Sequence, residues 1–447
     1  MSQASKPVVG YLPDERPPIW KLLFFALQQI LVMFPATVLV AMLTGFHVST
    51  TIFASGLATI CFLLVTRGKI PLYYGSSFSY IVAIASITGA NGMVEFGVVS
   101  SDALIGQAQF GIIMSGLVSI LAGLIINLFG PEKIELVLPP TVTGSIAIVI
   151  GISLAGVAIT GAAGPTADVA ASNLSWIIAL VTLIATVLFS VYLKGTLGQL
   201  PILFGILVGY ILAVILNVID FSTIFAGPIV AVPHFTLPVA NWPAVLAIMP
   251  IAIATIPEST AHLYQLDIYV DHLAGEKGKK PYGIKNRLGL NLIGDGIGDI
   301  VSSLFGGPAG TNYGENLSTM AITRNFSVPV LGAAAIITMI IAFFTPLSNL
   351  VNSIPGSVIG GVSIYLFGVI GAQGIAIMIN RKVDLFNSRN LAVIATILVI
   401  GLGGNYGFAG GMIPFFGAKL PAIATAALVG IILNLILSIG KKKEAEA

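Results

Sequence analysis

Residues 22–66 read LLFFALQQILVMFPATVLVAMLTGFHVSTTIFASGLATICFLLVT, without one Asp, Glu, Lys or Arg. A helix that crosses a bilayer needs about 20 apolar residues, so this run holds two spans. Asn325 to Asn380 is equally free of charge and holds two more. The rest of the chain agrees. Of its 447 residues 56% are hydrophobic and 9% charged, whereas a water-soluble domain carries about 25% charged residues. A chain so poor in charge cannot cover a surface that faces water, and lipid is the solvent it suits. The alternation of a β-barrel is absent, which leaves helices to satisfy the backbone in hydrocarbon. The composition therefore predicts an all-α polytopic membrane protein.

Fourteen segments are predicted: 20–45, 48–66, 72–92, 104–128, 136–158, 174–193, 201–218, 244–264, 287–305, 313–324, 329–346, 357–378, 390–404 and 420–439. With fourteen spans, every lysine and arginine except Lys419 falls on one side of the membrane. A wrong count would scramble that asymmetry, so the positive-inside rule puts both termini in the cytoplasm. The chain opens on a polar, proline-rich stretch, Tyr11 to Lys21, and no cleavable signal peptide is visible. Cys61, the single cysteine, lies in an apolar run where packing or lipid contact accounts for it.

The chain also resembles itself. Tyr74-Gly75-Ser76-Ser77-Phe78-Ser79 in the third segment echoes Tyr313-Gly314-Glu315-Asn316-Leu317-Ser318 in the tenth. Pro131 and Pro140, by the fifth segment, match Pro346 and Pro355 before the twelfth. Leu200-Pro201 with Val208-Gly209 echoes Leu420-Pro421 with Val429-Gly430. Seven segments per repeat is an odd number, so the halves lie in opposite orientations. Inverted repeats are a transporter architecture, and Gly-interrupted segments at matching places mark the substrate site. Here those are the third and tenth. Half-helices starting there would aim free N–H groups at a ligand.

Few acids fall inside the predicted spans: Glu258, Asp295, Asp299 and Glu315. An ionisable group at that depth is costly and is a functional candidate by default. His262 follows Glu258 by one helical turn, on the same face. The two could exchange a proton near neutral pH, or simply share a structural hydrogen bond. Glu315 occupies the place of Ser76 in the first repeat, so the acid breaks the symmetry. Asp295 and Asp299 also lie one turn apart, with a proton-path role or pairing with serines and backbone as the two readings. Asp267, Asp271 and His272 are expected in a solvated loop after the eighth segment. No GxxxxGK[ST] motif, HExxH spacing or Ser–His or Cys–His constellation appears, which disfavours an ATP motor, a metal site and a hydrolase. No basic residue lies deep in a span, as a carrier of inorganic anions would favour.

At these residues the chain resembles the nucleobase–ascorbate transporter family (nucleobase:cation symporter-2), and within it the bacterial uracil permeases. The signals are Gln28 with Met33-Phe34 and Ala36-Thr37-Val38-Leu39-Val40, then Gly68-Lys69-Ile70-Pro71 and Gly75-Ser76-Ser77-Phe78. Glu258 with His262 follows, then Asn312-Tyr313-Gly314-Glu315-Asn316 and Met320-Ala321-Ile322-Thr323-Arg324. The likeness runs from about Arg16 to Gly440.

The resemblance implies fourteen segments as two inverted sevens, with a short β-strand in segments 3 and 10. Segments 1–4 and 8–11 would form a core domain, and 5–7 and 12–14 a gate domain. The chain then divides into a cytoplasmic tail (1–19), a first repeat (20–218), an extracytoplasmic connection (219–243), a second repeat (244–440) and a cytoplasmic tail (441–447). Glu258 and Glu315 would bind the base, with Phe78, Tyr313 and Gly314 beside them. His262, with Glu258, would couple the proton. Gln28, Gln29, Ser77, Asn316, Ser318 and Asp295 would support the site. Two positions depart from the family pattern: Gln29 stands where a histidine is usual, and Ser318 where a glycine is usual.

The expected function is proton-coupled import of a nucleobase, uracil first, across a bacterial cytoplasmic membrane. No enzyme activity, catalytic residue, metal or cofactor is expected, the proton being the coupling ion. The expected partners are the nucleobase, the proton and lipid, with no nucleic acid; the family tends to form homodimers through its gate. The rivals are a purine carrier of the same fold, an anion exchanger or channel of related fold and, last, a membrane enzyme.

Overall fold

The computed structural model describes residues 10–90, 98–130, 137–164, 169–225, 227–415 and 418–439. Lys6, Pro131, Lys133, Lys441, Lys442 and Lys443 lie outside the described residues. The first half comprises α1 (Ile19–Thr44), α2 (Val48–Val65), β1 (Tyr74–Ser76), α3 (Ile81–Thr88), α4 (Asp102–Phe129), α5 (Pro140–Ser153), α6 (Ala155–Ala163), α7 (Val169–Tyr192) and α8 (Pro201–Ile215). The second comprises α9 (Trp242–Ile248), α10 (Ile251–Glu276), α11 (Leu288–Leu304), β2 (Gly310–Asn312), α12 (Gly314–Thr323), α13 (Val328–Ile341), α14 (Thr345–Asn352), α15 (Gly356–Asn380), α16 (Ser388–Leu398), a hairpin of β3 (Met412–Phe415) and β4 (Ala418–Pro421), and α17 (Ala422–Ile439).

Among the described residues nine helices are long and apolar enough to cross a membrane. Phe78–Thr88, Pro201–Ile215 and Val328–Ile341 are shorter apolar helices. The other two predicted segments are α11, which carries Asp295 and Asp299, and α12, which carries Glu315. Every predicted segment thus contains a helix, and the bundle presents Leu121, Leu128, Ile184 and Ile211 outward, as lipid requires.

Helix packing repeats across the two halves. α4 packs on α11, and α13 on α2; α7 packs on α8, and α16 on α17; α15 packs on α7, and α16 on α5. Exchanging the halves converts the first member of each set into the second. Close approach at the α4–α11 crossing depends on glycine: a Cβ on Gly116 would collide with the Gly296 carbonyl, and one on Gly296 with the Gly116 carbonyl. Small residues at such crossings let two backbones come together in lipid, where no hydrophobic force drives helices to associate.

Three features differ from the sequence reading. The eighth segment does not end at 264, because α10 runs on to Glu276. Asp267, Asp271 and His272 are therefore helical, not in a loop. Asp267 is buried and accepts from the Lys285 N–H at 3.0 Å, and Asp271 accepts from the Tyr282 N–H at 2.6 Å. These carboxylates satisfy backbone donors of the following turn, which is why they tolerate a packed position. The polar start of the chain is docked as well. Tyr11 N–H donates to the Arg324 carbonyl and Phe326 N–H to the Tyr11 carbonyl, each at 2.8 Å, and Leu12 is fully buried. Glu15 then receives Lys277 Nζ at 2.6 Å and Lys279 Nζ at 2.9 Å. Finally, the β3–β4 hairpin lies between the last two segments, pairing Met412 with Pro421 and Phe415 with Ala418, so strand occurs outside the third and tenth segments as well.

Candidate functional site

The third and tenth segments break as their glycines and serines suggest. β1 and β2 pair antiparallel, with Tyr74 opposite Asn312, Gly75 opposite Thr311 and Ser76 opposite Gly310. The ladder continues by one bond at each end, Tyr313 N–H to the Tyr73 carbonyl at 3.0 Å and Ser77 N–H to the Ala309 carbonyl at 2.9 Å. The strands lie deep in the bundle, so their outer edges also need partners. α2 supplies them: Ser55 and Thr59 hydroxyls donate to the Tyr74 carbonyl at 2.9 and 3.0 Å, and the Tyr74 N–H donates to Thr59 Oγ1 at 3.1 Å.

A short helix leaves each strand. In the first repeat a turn over Phe78–Tyr80 begins after Ser77, whose hydroxyl accepts from the Ser79 N–H, and leads into α3. In the second, α12 begins at Gly314, directly after Tyr313. The two motifs therefore fold unequally. Ser76 ends a strand, while its counterpart Glu315 sits in the first turn of a helix. There the acid faces the positive end of the helix dipole.

Glu258 comes to this place from α10, one residue after Pro257, which leaves the helical ladder one hydrogen bond short. Its Oε2 accepts from Ser79 Oγ at 3.4 Å, and its carboxylate lies close enough to Glu315 for the two to interact electrostatically. His262 lies against Asn312 backbone and Gly314: a Cβ added to Gly314 would be 2.8 Å from His262 Nε2. Glu258 and His262 share a helix face but form no ion pair. Each reaches a different half-helix, Glu258 the first and His262 the second. Phe78, Glu258, His262, Gly314, Glu315 and Ser318 are all half-buried, and the contacts of Glu258 and His262 bring the starts of the two half-helices together around one recess.

The supporting residues fall around it. Asn316 Nδ2 donates to both the backbone and the side-chain oxygen of Gln29, at 2.9 and 2.8 Å. Tyr313 OH pairs with Thr37 Oγ1 at 3.0 Å. Gln28 is buried on α1, and its Oε1 has no partner among the described residues; the same holds for His262 Nδ1 and Asn316 Oδ1. Unsatisfied buried polar atoms cost about 1–3 kcal/mol each, and a site that must receive a polar ligand is one place where they persist.

Asp295 and Asp299 both find partners inside the bundle. Asp295 accepts from Ser259 Oγ and, at 2.9 Å, from Asn312 Nδ2. Asp299 Oδ1 accepts from Tyr74 OH at 2.5 Å and from the Gly310 N–H at 2.8 Å. One carboxylate thereby ties α11 to both strands. Ser79, Ser259, Asn291 and Asn312 are not among the candidates the sequence yields. Asn291 Nδ2 donates to Ser259 Oγ at 2.6 Å, and Asn312 Nδ2 to Asn291 Oδ1 at 3.2 Å. Ser259 follows Glu258 and Asn312 opens the Asn-Tyr-Gly-Glu-Asn motif, the only hint the chain offers.

Taken as chemistry, the recess offers two carboxylates as acceptors, backbone N–H groups at two helix starts as donors, and a phenyl ring. That set suits a small ligand bearing both donors and acceptors.

Residues 20–410 match the family model described as the Permease family, that of the xanthine and uracil permeases. The chain belongs to that family. The permease is 38% identical to a uracil permease of Bacillus caldolyticus over 99% of this chain and 97% of the relative. It is 36% identical to a uracil permease of Bacillus subtilis over 94% of each. A putative pyrimidine permease of Escherichia coli is 34% identical over 95% of this chain and 91% of its own. Among solved structures, the transmembrane domain of the cyanobacterial bicarbonate transporter BicA superposes with a TM-score of 0.59 at 17% identity, covering 94% of this chain and 98% of that one. The murine anion transporter Slc26a9 gives 0.63 at 12% identity, covering 96% and 69%. These last two speak for the fold alone. The permease is a multi-pass membrane protein and not an enzyme.

Proposed function

We propose that this permease imports a nucleobase, uracil, together with a proton. The observation that carries the reading is the convergence of Glu258 and Glu315 on the starts of two half-helices. Uracil presents two N–H donors and two carbonyl acceptors on a flat ring. The carboxylates accept from its N–H groups, the helix-start N–H groups donate to its carbonyls, and Phe78 packs on the ring edge or face. A base that leaves one of these groups unpaired in a dry site loses about 1–3 kcal/mol. The uracil permeases among the relatives support the same substrate.

Fourteen segments as two inverted sevens give the alternating-access frame, and the packing that recurs when the halves are exchanged supports it. Segments 1–4 and 8–11 then act as a core that carries the site, and 5–7 and 12–14 as a gate. Both termini are cytoplasmic, in keeping with the basic residues. His262, beside Gly314, and Glu258, beside Ser79, take up and release the coupled proton through the bound base rather than by direct contact. Pairing of two copies through the gate helices is the expected assembly.

The test is uptake of radiolabelled uracil by cells that lack their own carriers. The parent accumulates uracil, a protonophore abolishes accumulation, and Glu258→Ala and Glu315→Ala lose uptake. Undiminished uptake by Glu258→Ala overturns the binding role. Accumulation that ignores the protonophore overturns the coupling. Competition by unlabelled xanthine at equal concentration would move the assignment to a purine.

A further inference from the structure

Away from the recess, three side chains from distant parts of the chain meet at one point. His47 lies in the turn between α1 and α2, Asp102 is the first residue of α4, and His234 lies in the connection between the halves. His234 Nε2 is 2.9 Å from Asp102 Oδ2, and His47 Nε2 is 3.7 Å from Asp102 Oδ1. The two imidazole rings are 4.4 Å apart, and one ligand atom from each of the three residues falls within 4.8 Å of the others.

We infer that His47, Asp102 and His234 bind a divalent transition-metal ion of the zinc class. Two imidazole nitrogens and one carboxylate oxygen form a ligand set that such ions favour over calcium or magnesium, which take oxygen. Zinc sits about 2.0–2.2 Å from nitrogen and oxygen ligands, which places ligand atoms of a tetrahedral site about 3.3–3.5 Å apart. The two His–Asp separations, 2.9 and 3.7 Å, bracket that value, and all three ligand atoms lie within 4.8 Å of one another, so side-chain rotations can bring them onto one ion. Three protein ligands leave a fourth position, and Asp102 and His234 are exposed enough for water to fill it.

The backbone around the cluster is already fixed. The Ser100 N–H donates to the Gly45 carbonyl at 2.8 Å, which joins the approach to α4 to the end of α1. Thr50 Oγ1 donates to the His234 carbonyl at 2.7 Å. Gln109 Nε2 donates to the Thr236 carbonyl, and Thr236 Oγ1 donates back to Gln109 Oε1, each at 2.9 Å. A ligand-bearing strap held from both sides loses little freedom when an ion binds. His47 Nε2 is buried and makes no hydrogen bond among the described residues. It lies 3.7 Å from Asp102 Oδ1, within reach of an ion held by the same carboxylate. The bound ion would fasten the connection between the halves to α1, α2 and α4, on the face that the basic residues avoid.

The experiment uses the full-length, tag-free protein in detergent, stripped with chelator and titrated with Co²⁺ as a spectroscopic probe, with Zn²⁺ in competition. The expected result is one Co²⁺ per chain with visible ligand-field absorption, displaced by Zn²⁺. Affinity falls at least tenfold in His47→Ala, His234→Ala and Asp102→Asn, and is retained in His272→Ala. Metal-free melting temperatures of the variants establish that they fold. Absence of Co²⁺ binding by the parent, or equal binding by folded His47→Ala and His234→Ala, overturns the site. Since the readout is metal absorption, it is independent of whether uracil is the transported base.

Discussion

Replacing Asp299 by alanine tests how the strand pair is held. Its Oδ1 receives two donors, Tyr74 OH from β1 and the Gly310 N–H from β2, and all three residues are buried. Alanine leaves both donors unpaired, at about 1–3 kcal/mol each, so the change costs about 2–6 kcal/mol. Asp299→Asn can keep a carbonyl oxygen in the place of Oδ1, where both donors converge, but a neutral amide is a weaker acceptor than a carboxylate, so it recovers only part of the loss. The loss lies at the strands from which both half-helices start, and base affinity falls together with stability. The assay is a thermal melt of purified protein with and without uracil, since a ligand that binds only the folded state raises its stability. Asp299→Ala melts lowest and is shifted least by uracil, and Asp299→Asn falls between it and the parent. Tyr74→Phe removes one of the two donors, so adding Asp299→Ala to it costs less than in the parent, by about 0.5–3 kcal/mol of coupling. If Asp299→Ala melts like the parent, or if the two changes are additive, the carboxylate is not the clamp described.

Gly314→Ala puts a Cβ 2.8 Å from His262 Nε2; overpacking of this kind costs about 1–3 kcal/mol, and uracil uptake falls while membrane insertion, measured by surface labelling, is retained. Tyr313→Phe deletes the hydrogen bond to Thr37 and lowers stability by about 0.5–1.5 kcal/mol, read as a small drop in melting temperature with the substrate response kept. Glu15 gives a pH-dependent contribution at the docked chain start: burial works to raise its pKa, but hydrogen bonds from Lys277, the Leu12 N–H and Lys279 outweigh it and hold the carboxyl at about 2. The folded value lies below the ordinary 4.5, so the stabilisation is complete above that pH and drains away as pH falls toward 2. Lys277→Ala therefore melts below the parent at pH 7, and the gap narrows in melts taken at successively lower pH.

Much of this could be read from residues alone because lipid leaves few options. Uncharged runs and one-sided lysines placed the helices, and the Gly-Ser motifs placed the two breaks. The acids Glu258 and Glu315 stood out because hydrocarbon makes each expensive. What escaped was tertiary. Asp267 and Asp271 looked like loop residues since nothing local shows that the N–H groups of Lys285 and Tyr282 come back to meet them. The proline-rich start reads as a tail because its partner, the α12–α13 junction, lies far along the chain. Ser76 and Glu315 occupy matching places in the repeated motif, yet one is strand and the other helix, a difference that the motif itself does not announce. The meeting of His47, Asp102 and His234 has no spacing to betray it.

The two-stranded crossing at the centre has a consequence for how the chain is made. β1 leaves the ribosome with the first half, but the backbone it hydrogen-bonds, β2, belongs to the second. Until residues 310–312 arrive, the inner edge of Tyr74–Ser76 has N–H and C=O groups at bilayer depth with nothing to bond, a state that hydrocarbon does not tolerate. The first seven segments expressed alone should therefore be held back from lipid or degraded, and the substrate recess is among the last parts of the molecule to come into being.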